Sequence, residues 1–497
     1  MMNNQIKKNY IYNLAYQILL LVIPLITTPY ISRVLSAEGV GKYSFSYSLI
    51  TYFTIFASLG FGYYAQREIA KNQNDTYKQT KCFWEIVICR LIPVFISLIC
   101  NFILCIFKVY GDYTCLMLIL SINILNVAFD FSFFFQGNEK FKTIVVRNFF
   151  IKIIFLISIF VFVRDKNDLW IYTLINSMAL ILSSLSMLSP LRKLLIKISI
   201  KDLKPIKHLR GTLMLFLPSI AVSIYTILDK TLIGLLITDT YKTFDENGFE
   251  IIKRYSDLEN GYYEQSEKIV KLIMTIITAI GTVMIPRNSN EISLGNYDNV
   301  RKNIYKTSNI VLLVGTPMML GLINISDLFV PWFFGEGYDK CKILIKILSP
   351  LIVIIGLSNV FGLQYLIPYG KDKKFSIALV FGSIVNLVLN LIFINMWWSI
   401  GAAIATIFGE ITVTVTMAVM IRKDINIIKI LLNGWRYYVA GLIMFMILFF
   451  LTKLFSPTIL YTIINVVIGI IIYGIMLLIL RDKQVVSITK RLFNKNK

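Results

Sequence analysis

Apolar runs of about twenty residues recur from one end of this 497-residue chain to the other. Each matches the roughly 30 Å thickness of a bilayer's hydrocarbon core. Lipid offers a backbone N–H or C=O no partner, so a spanning run of this kind must be helical. Only 16% of the residues are charged and 57% are hydrophobic, whereas a soluble domain carries roughly 25% charge. The chain therefore reads as an all-α polytopic membrane protein with about fourteen transmembrane helices. In order they are Tyr12–Val34, Tyr43–Gly62, Phe83–Phe107, Thr114–Gln136, Asn148–Val163 and Leu169–Leu188. Thr212–Ile237, Ile269–Ile285, Ser308–Phe329, Lys342–Ile367, Phe375–Ile394 and Ile400–Ile421 form a second set, and Tyr437–Leu454 and Ile459–Leu480 trail it.

Most of the 50 lysines and arginines fall in alternate loops. Basic loops stay in the cytoplasm, which places both termini there. The clearest such loop, Pro190–Gly211, has seven basic residues, and the tail from Arg481 adds six. The same loop divides the chain. Residues 1–189 form an N-terminal lobe of six spans, 190–211 a basic linker and 212–421 a C-terminal lobe of six. Residues 422–497 add a helix pair and a basic tail. Transporters often bind substrate between two such halves. The start, MMNNQIKKNY, leads straight into a full-length span and reads as a retained first helix.

The net charge of +22 reflects this loop asymmetry, and no separate basic domain stands ready for nucleic acid. Cys82, Cys89, Cys100, Cys105, Cys115 and Cys341 lie in or beside apolar runs without a C-x-x-C pair, so they read as small core residues. The single histidine, His208, sits in the basic loop and argues against histidine-based metal or catalytic chemistry. No metal or cofactor is expected. GVGKYS at Gly39–Ser44 lacks the G-x-x-x-x-G-K-[ST] spacing of a phosphate loop.

Charges inside spans are the informative exceptions, because each costs about 2.5–3.5 kcal/mol at the bilayer centre. The run TLMLFLPSIAVSIYTILDKTLIGLLI carries Asp229 and Lys230, and ENGYYEQSEKIVK opens the next run with Lys268 and Lys271. A pathway through the membrane is one reading, and an ion pair that positions two helices is the other. Glu85, Arg90, Asp130 and Lys152 on spans three to five form either an inner gate or a structural cluster. Glu410, in the middle of span twelve, is a candidate for coupling H⁺ or Na⁺ or a satisfied core carboxylate. Pro24, Pro29, Pro218 and Pro317 allow helices to bend. The connector Thr238–Lys268, rich in both charges and in tyrosine, reads as a solvated hairpin or short helix, with a sugar-contacting cap as the alternative.

Several stretches carry a family resemblance. PYISRVLSAEGVGKYSF, YYAQREIAK, IYTILDKTLIG, NGYYEQSEKIVK, VMIPRNSN and PWFFGEGY occur in that order. The chain resembles the Wzx-type flippases of polysaccharide biosynthesis, in the multidrug/oligosaccharidyl-lipid/polysaccharide exporter superfamily. The resemblance implies two six-helix lobes around a central cavity, with a helix pair added. It implies movement of undecaprenyl-pyrophosphate-linked oligosaccharide from the inner to the outer leaflet of the bacterial cytoplasmic membrane, for O-antigen, capsule or a related surface polysaccharide. A polysaccharide polymerase and other assembly proteins would be partners. Relatives line their cavity with spans one, seven and eight. Arg33, Lys230 and Lys271 would therefore meet the pyrophosphate, with Asp229 tuning Lys230; arginine offers it a fork and lysine a point charge. Snorkelling to the membrane interface is the plainer account of Arg33 and Lys271. A multidrug cation antiporter of the same superfamily and a membrane polymerase are the competing functions, the latter expecting a large external domain or clustered catalytic acids, for which the Thr238–Lys268 connector is small.

Overall fold

The computed structural model describes residues 2–138, 140–244, 250–482 and 484–486. The basic tail beyond 486 lies outside them. Packing divides the chain into two units, Met1–Gly234 and Leu235–Lys497.

The first unit opens with α1 (Met2–Ser58), which is two helices joined at Ser36, where φ is 59° and ψ 176°. The break falls at neither Pro24 nor Pro29, both of which the helix accommodates. The new helix starts with an acid near its positive end: Glu38 pairs with Lys42 at 2.8 Å. Next come α2 (Phe61–Lys71), α3 (Thr76–Ile106), α4 (Thr114–Phe129), α5 (Ser132–Gly137) and α6 (Phe141–Phe162). The unit closes with α7 (Leu169–Ser186), α8 (Leu188–Arg192) and most of α9 (Leu209–Leu236). Helices α1, α3, α4, α6 and α7 pack on one another as the bundle. An aromatic core fills one end. Phe83 lies 5.5–5.8 Å, centroid to centroid, from Phe131, Phe133 and Phe134, so the FDFSFFFQG stretch supplies that core's bulk.

Two glycines set α9 against this unit. A methyl group at Gly211 would sit 2.3 Å from the Tyr64 ring, and one at Gly234 would sit 2.1 Å from the Phe45 ring. Only a bare Cα permits either approach. The basic linker is part of the first unit, whose boundary at Gly234 lies near the end of α9.

The second unit begins with a hairpin, β1 (Thr240–Phe244) against β2 (Glu250–Arg254), antiparallel with Tyr241 opposite Lys253. Then follow α10 (Tyr255–Ser293), α11 (Tyr297–Phe334), α12 (Asp339–Leu348), α13 (Leu351–Phe361), a π turn at Gly362–Leu366 and α14 (Asp372–Ile421). The expected connector is thus shorter than its polarity implied. Helix α10 starts at Tyr255, and its Ser256, Asp257, Glu259, Asn260, Tyr263 and Ser266 are buried. Its polar residues are an interior face. Helix α14 is two helices that meet at Trp398, with φ 54° and ψ −128°.

The amphipathic α15 (Ile427–Asn433) leads to α16 (Trp435–Thr452) and α17 (Ile459–Ile479). This trailing pair is fastened to α11. Asn324 donates to the Phe445 carbonyl at 2.9 Å, Trp332 Nε1 to Thr462 at 2.7 Å, and Tyr473 to the Leu313 carbonyl at 2.8 Å. Among the described residues, ten helical runs are long and apolar enough to cross a membrane. The two halves of α14, the two of α1, and α9 account for the rest of the expected set of about fourteen.

Candidate functional site

The seventh span carries the sharpest charged feature of the first unit. Asp229 is 6% exposed and Lys230 half-buried. Beside them, Tyr52 donates to Thr231 Oγ1 at 3.2 Å, and that oxygen lies 3.0 Å from Ser48 Oγ. Hydroxyl contacts therefore fix α9 against the second half of α1. Arg33 is exposed, one turn before the break at Ser36. Arg33, Asp229 and Lys230 all engage in polar or charged interactions, so none is a bare charge. Lys271 belongs to the other unit and forms an ion pair with Glu267, one turn back, at 2.6 Å. That contact offsets part of its charge before any ligand arrives.

Glu85, Arg90, Asp130 and Lys152 divide among separate environments. Glu85, fully buried on α3, accepts from the Lys204 backbone N–H at 2.9 Å, Lys207 Nζ at 2.5 Å and His208 Nε2 at 3.1 Å. Arg90 is 4% exposed and donates to the backbone carbonyls of Asp130 and Ala128, both at 2.8 Å. It also stacks over the Phe133 ring at 5.4 Å. The Asp130 carboxylate instead caps the Ser132 N–H at 2.9 Å. Lys152 sits on α6, which packs mainly on α1 and α7. Arg90 serves the end of α4, where a guanidinium satisfies carbonyls that lack helical partners.

His208, the single histidine, stands in the basic linker, and its sequence position gives no sign of its contacts. It is buried, and its Nδ1 lies 2.8 Å from the Tyr64 hydroxyl on α2 while Nε2 meets Glu85 on α3. Burial lowers its pKa below the usual 6.5, outweighing the opposite pull of Glu85. Burial likewise pushes the Tyr64 phenol up to about 12.

The second unit holds a matching buried acid. Glu259, 3% exposed, accepts from Lys340 Nζ at 2.6 and 2.7 Å, from the Ser399 N–H at 3.3 Å and from the Ser399 hydroxyl. Lys340 also lies 5.2 Å from the centroid of the Trp398 ring. Glu410 is half-buried on the second half of α14 and is not solitary. One turn before it, Thr406 bonds Tyr263 at 2.9 Å. Among the described residues, no three His, Cys, Asp or Glu side chains gather as a metal site would require.

Each unit of this helical membrane protein thus buries its charges in pairs. Residues 6–292 match the polysaccharide biosynthesis protein family, and the chain belongs to it. A protein of Escherichia coli (strain K12) named "Putative O-antigen transporter" is 24% identical over 424 residues, covering 84% of this chain and 97% of that one. Among solved structures, a lipid II flippase MurJ in an inward closed conformation superposes with a TM-score of 0.67, at 17% identity, over 93% of this chain and 99% of its own. An inward-facing multidrug resistance MATE transporter of the MOP superfamily gives 0.58, at 13% identity, over 82% and 99%. The fold is that of this superfamily, as the resemblance implied.

Proposed function

We propose that this protein is a flippase for lipid-linked oligosaccharide. On this reading it moves undecaprenyl-pyrophosphate-linked repeat units from the inner to the outer leaflet of the bacterial cytoplasmic membrane by alternating access, with both termini cytoplasmic. The observation that carries the reading is family membership, together with a relative named for O-antigen transport that aligns along nearly its whole length. Physical chemistry agrees. Burying a hydroxyl without a partner costs roughly 2–7 kcal/mol, so a sugar head group must cross through a polar-lined path. Arg33 and Lys230 are the cations proposed to meet the pyrophosphate, Lys271 a weaker third because Glu267 already holds it, and Asp229 the group that tunes Lys230. Glu410 is the proposed coupling acid. Outward movement of two negative charges down an inside-negative potential releases about 4.6 kcal/mol per 100 mV. The repeat units would pass to a polymerase at the outer face.

The test is translocation of a fluorescent polyprenyl-pyrophosphate oligosaccharide in proteoliposomes holding the full chain. Arg33→Ala and Lys230→Ala should each cut the rate by about tenfold or more, as loss of a charge-assisted phosphate contact does, with abundance unchanged. Lys271→Ala should have the smaller effect. Unchanged rates in both of the first two variants would remove the site assignment. No translocation by the wild-type chain would remove the function.

A further inference from the structure

A second anion-binding feature lies within the second unit, away from every residue assigned above. The last turns of α14, the connector Arg422–Asn426, the start of α15 and Tyr305 of α11 enclose an open hollow of about 760 Å³. One wall is apolar and continues along the spanning helix: Val415, Val419, Ile427 and Ile428, with Ile428 70% exposed. The opposite rim is polar: Arg422, Lys423, Asp424 and Asn426.

The charges on that rim do not cancel. Asp424 is already engaged, accepting from the Tyr365 hydroxyl at 2.6 Å and from Lys371 at 3.4 Å. Those contacts hold its carboxyl below the usual range. Arg422 and Lys423 are exposed, and among the described residues neither side chain forms a hydrogen bond or ion pair. Tyr305 accepts from the Asn426 N–H at 2.9 Å, which leaves its own O–H to donate. Lys429 adds a third cation, 5.6 Å from the centre of the Tyr305 ring. Helix α15 buries Ile430 and exposes Ile428, Leu431 and Leu432. Exposed apolar residues beside exposed lysines are the pattern of a helix lying in a membrane interface.

The geometry points to a binding site for one acidic phospholipid. Its phosphate would meet Arg422, Lys423 and the Tyr305 hydroxyl, and an acyl chain would lie along Val415, Val419 and Ile428. A free phosphate would use the cations but has no use for the apolar wall, which is why a lipid is the fitting occupant. The inference does not depend on the direction of transport or on the substrate proposed above.

Native mass spectrometry of the full chain with equimolar phosphatidylglycerol and phosphatidylcholine tests it. The wild type should retain phosphatidylglycerol selectively. Arg422→Gln and Lys423→Gln should each lower that retention by about fivefold, the worth of one juxtamembrane cation, with phosphatidylcholine unchanged. Lys453→Gln, at the far end of α16 and outside the lining of the hollow, should leave it intact. Tyr305→Phe keeps the ring beneath Lys429 but removes the donor, and should reduce selectivity, so the proposal stays testable even where a charge variant fails to fold. Ile428→Asp should release the lipid as well. Displacement by millimolar inorganic phosphate, or indifference to Ile428→Asp, would show a soluble-anion site and overturn the assignment. Equal phosphatidylglycerol retention in the wild type and both charge variants would also overturn it.

Discussion

Two buried glutamates, one in each unit, solve the same problem with different partners. Glu85 and Glu259 are both almost wholly enclosed, and each takes a lysine ammonium and a backbone N–H. Glu259 draws its donors from helices: Lys340 on α12 and Ser399 just past the break in α14. Glu85 draws all of its donors from a loop, residues 204–208, one of them the titratable His208. A buried carboxylate must be paired wherever it lies. The comparison teaches that the pairing can serve either to hold a helix break or to hold a linker. Only the second arrangement carries a group that changes charge near neutral pH.

Glu259→Ala should be the most damaging change. It strands a largely covered lysine and an N–H at the Trp398 break, and breaking a buried pair from one side costs about 3–5 kcal/mol. Unfolding of the purified chain in detergent would measure this. A loss no larger than that of Glu85→Ala would end the distinction between the two sites. Glu85→Ala should cost less, about 2 kcal/mol, because Lys207 is half exposed and can return to water. Its clearer signature is local: the Lys204 N–H, held by Glu85 in the wild type, should exchange with solvent faster in that variant when followed by hydrogen–deuterium exchange.

The smallest effect is the pH dependence, and its sign follows from burial. Folding lowers the His208 pKa, so below 6.5 the unfolded chain takes up a proton that the folded one resists. The stabilisation is full above 6.5 and fades as pH falls through the lower folded value. Tyr64, Glu85, Lys207 and, further off, Glu68 make up the charged surroundings of this ring. The stability gap between the wild type and His208→Asn, about 1 kcal/mol above 6.5, should narrow on acidification. A gap that widens would mean the ring is held charged by Glu85.

Spans were legible in the sequence because twenty apolar residues leave a lipid-exposed backbone only one conformation. The breaks at Ser36 and Trp398 fall in the gaps read between spans one and two and between spans eleven and twelve, but their form was not legible: each is a single residue at positive φ rather than a loop, and neither Pro24 nor Pro29 marks one. Polarity misled at ENGYYEQSEK, which reads as a connector and is an inward helix face. Arg90 and Asp130 read as members of an inner gate or a structural cluster, and both spend their hydrogen bonds on backbone groups. Such groups are identical at every position and leave no mark in a sequence. Membership of the polysaccharide biosynthesis protein family was legible from short motifs in order, and the Tyr64–His208–Glu85 contact was not, because its members stand far apart along the chain.

That contact has a practical consequence. The chain of 497 residues contains one histidine, so isotope labelling of imidazole alone would place a single ring in an otherwise silent spectrum. With an affinity tag free of histidine, one pair of nitrogen resonances would report whether the linker is seated or released. The same signal could be followed while lipid is added or a substrate is translocated, with no substitution and no attached dye.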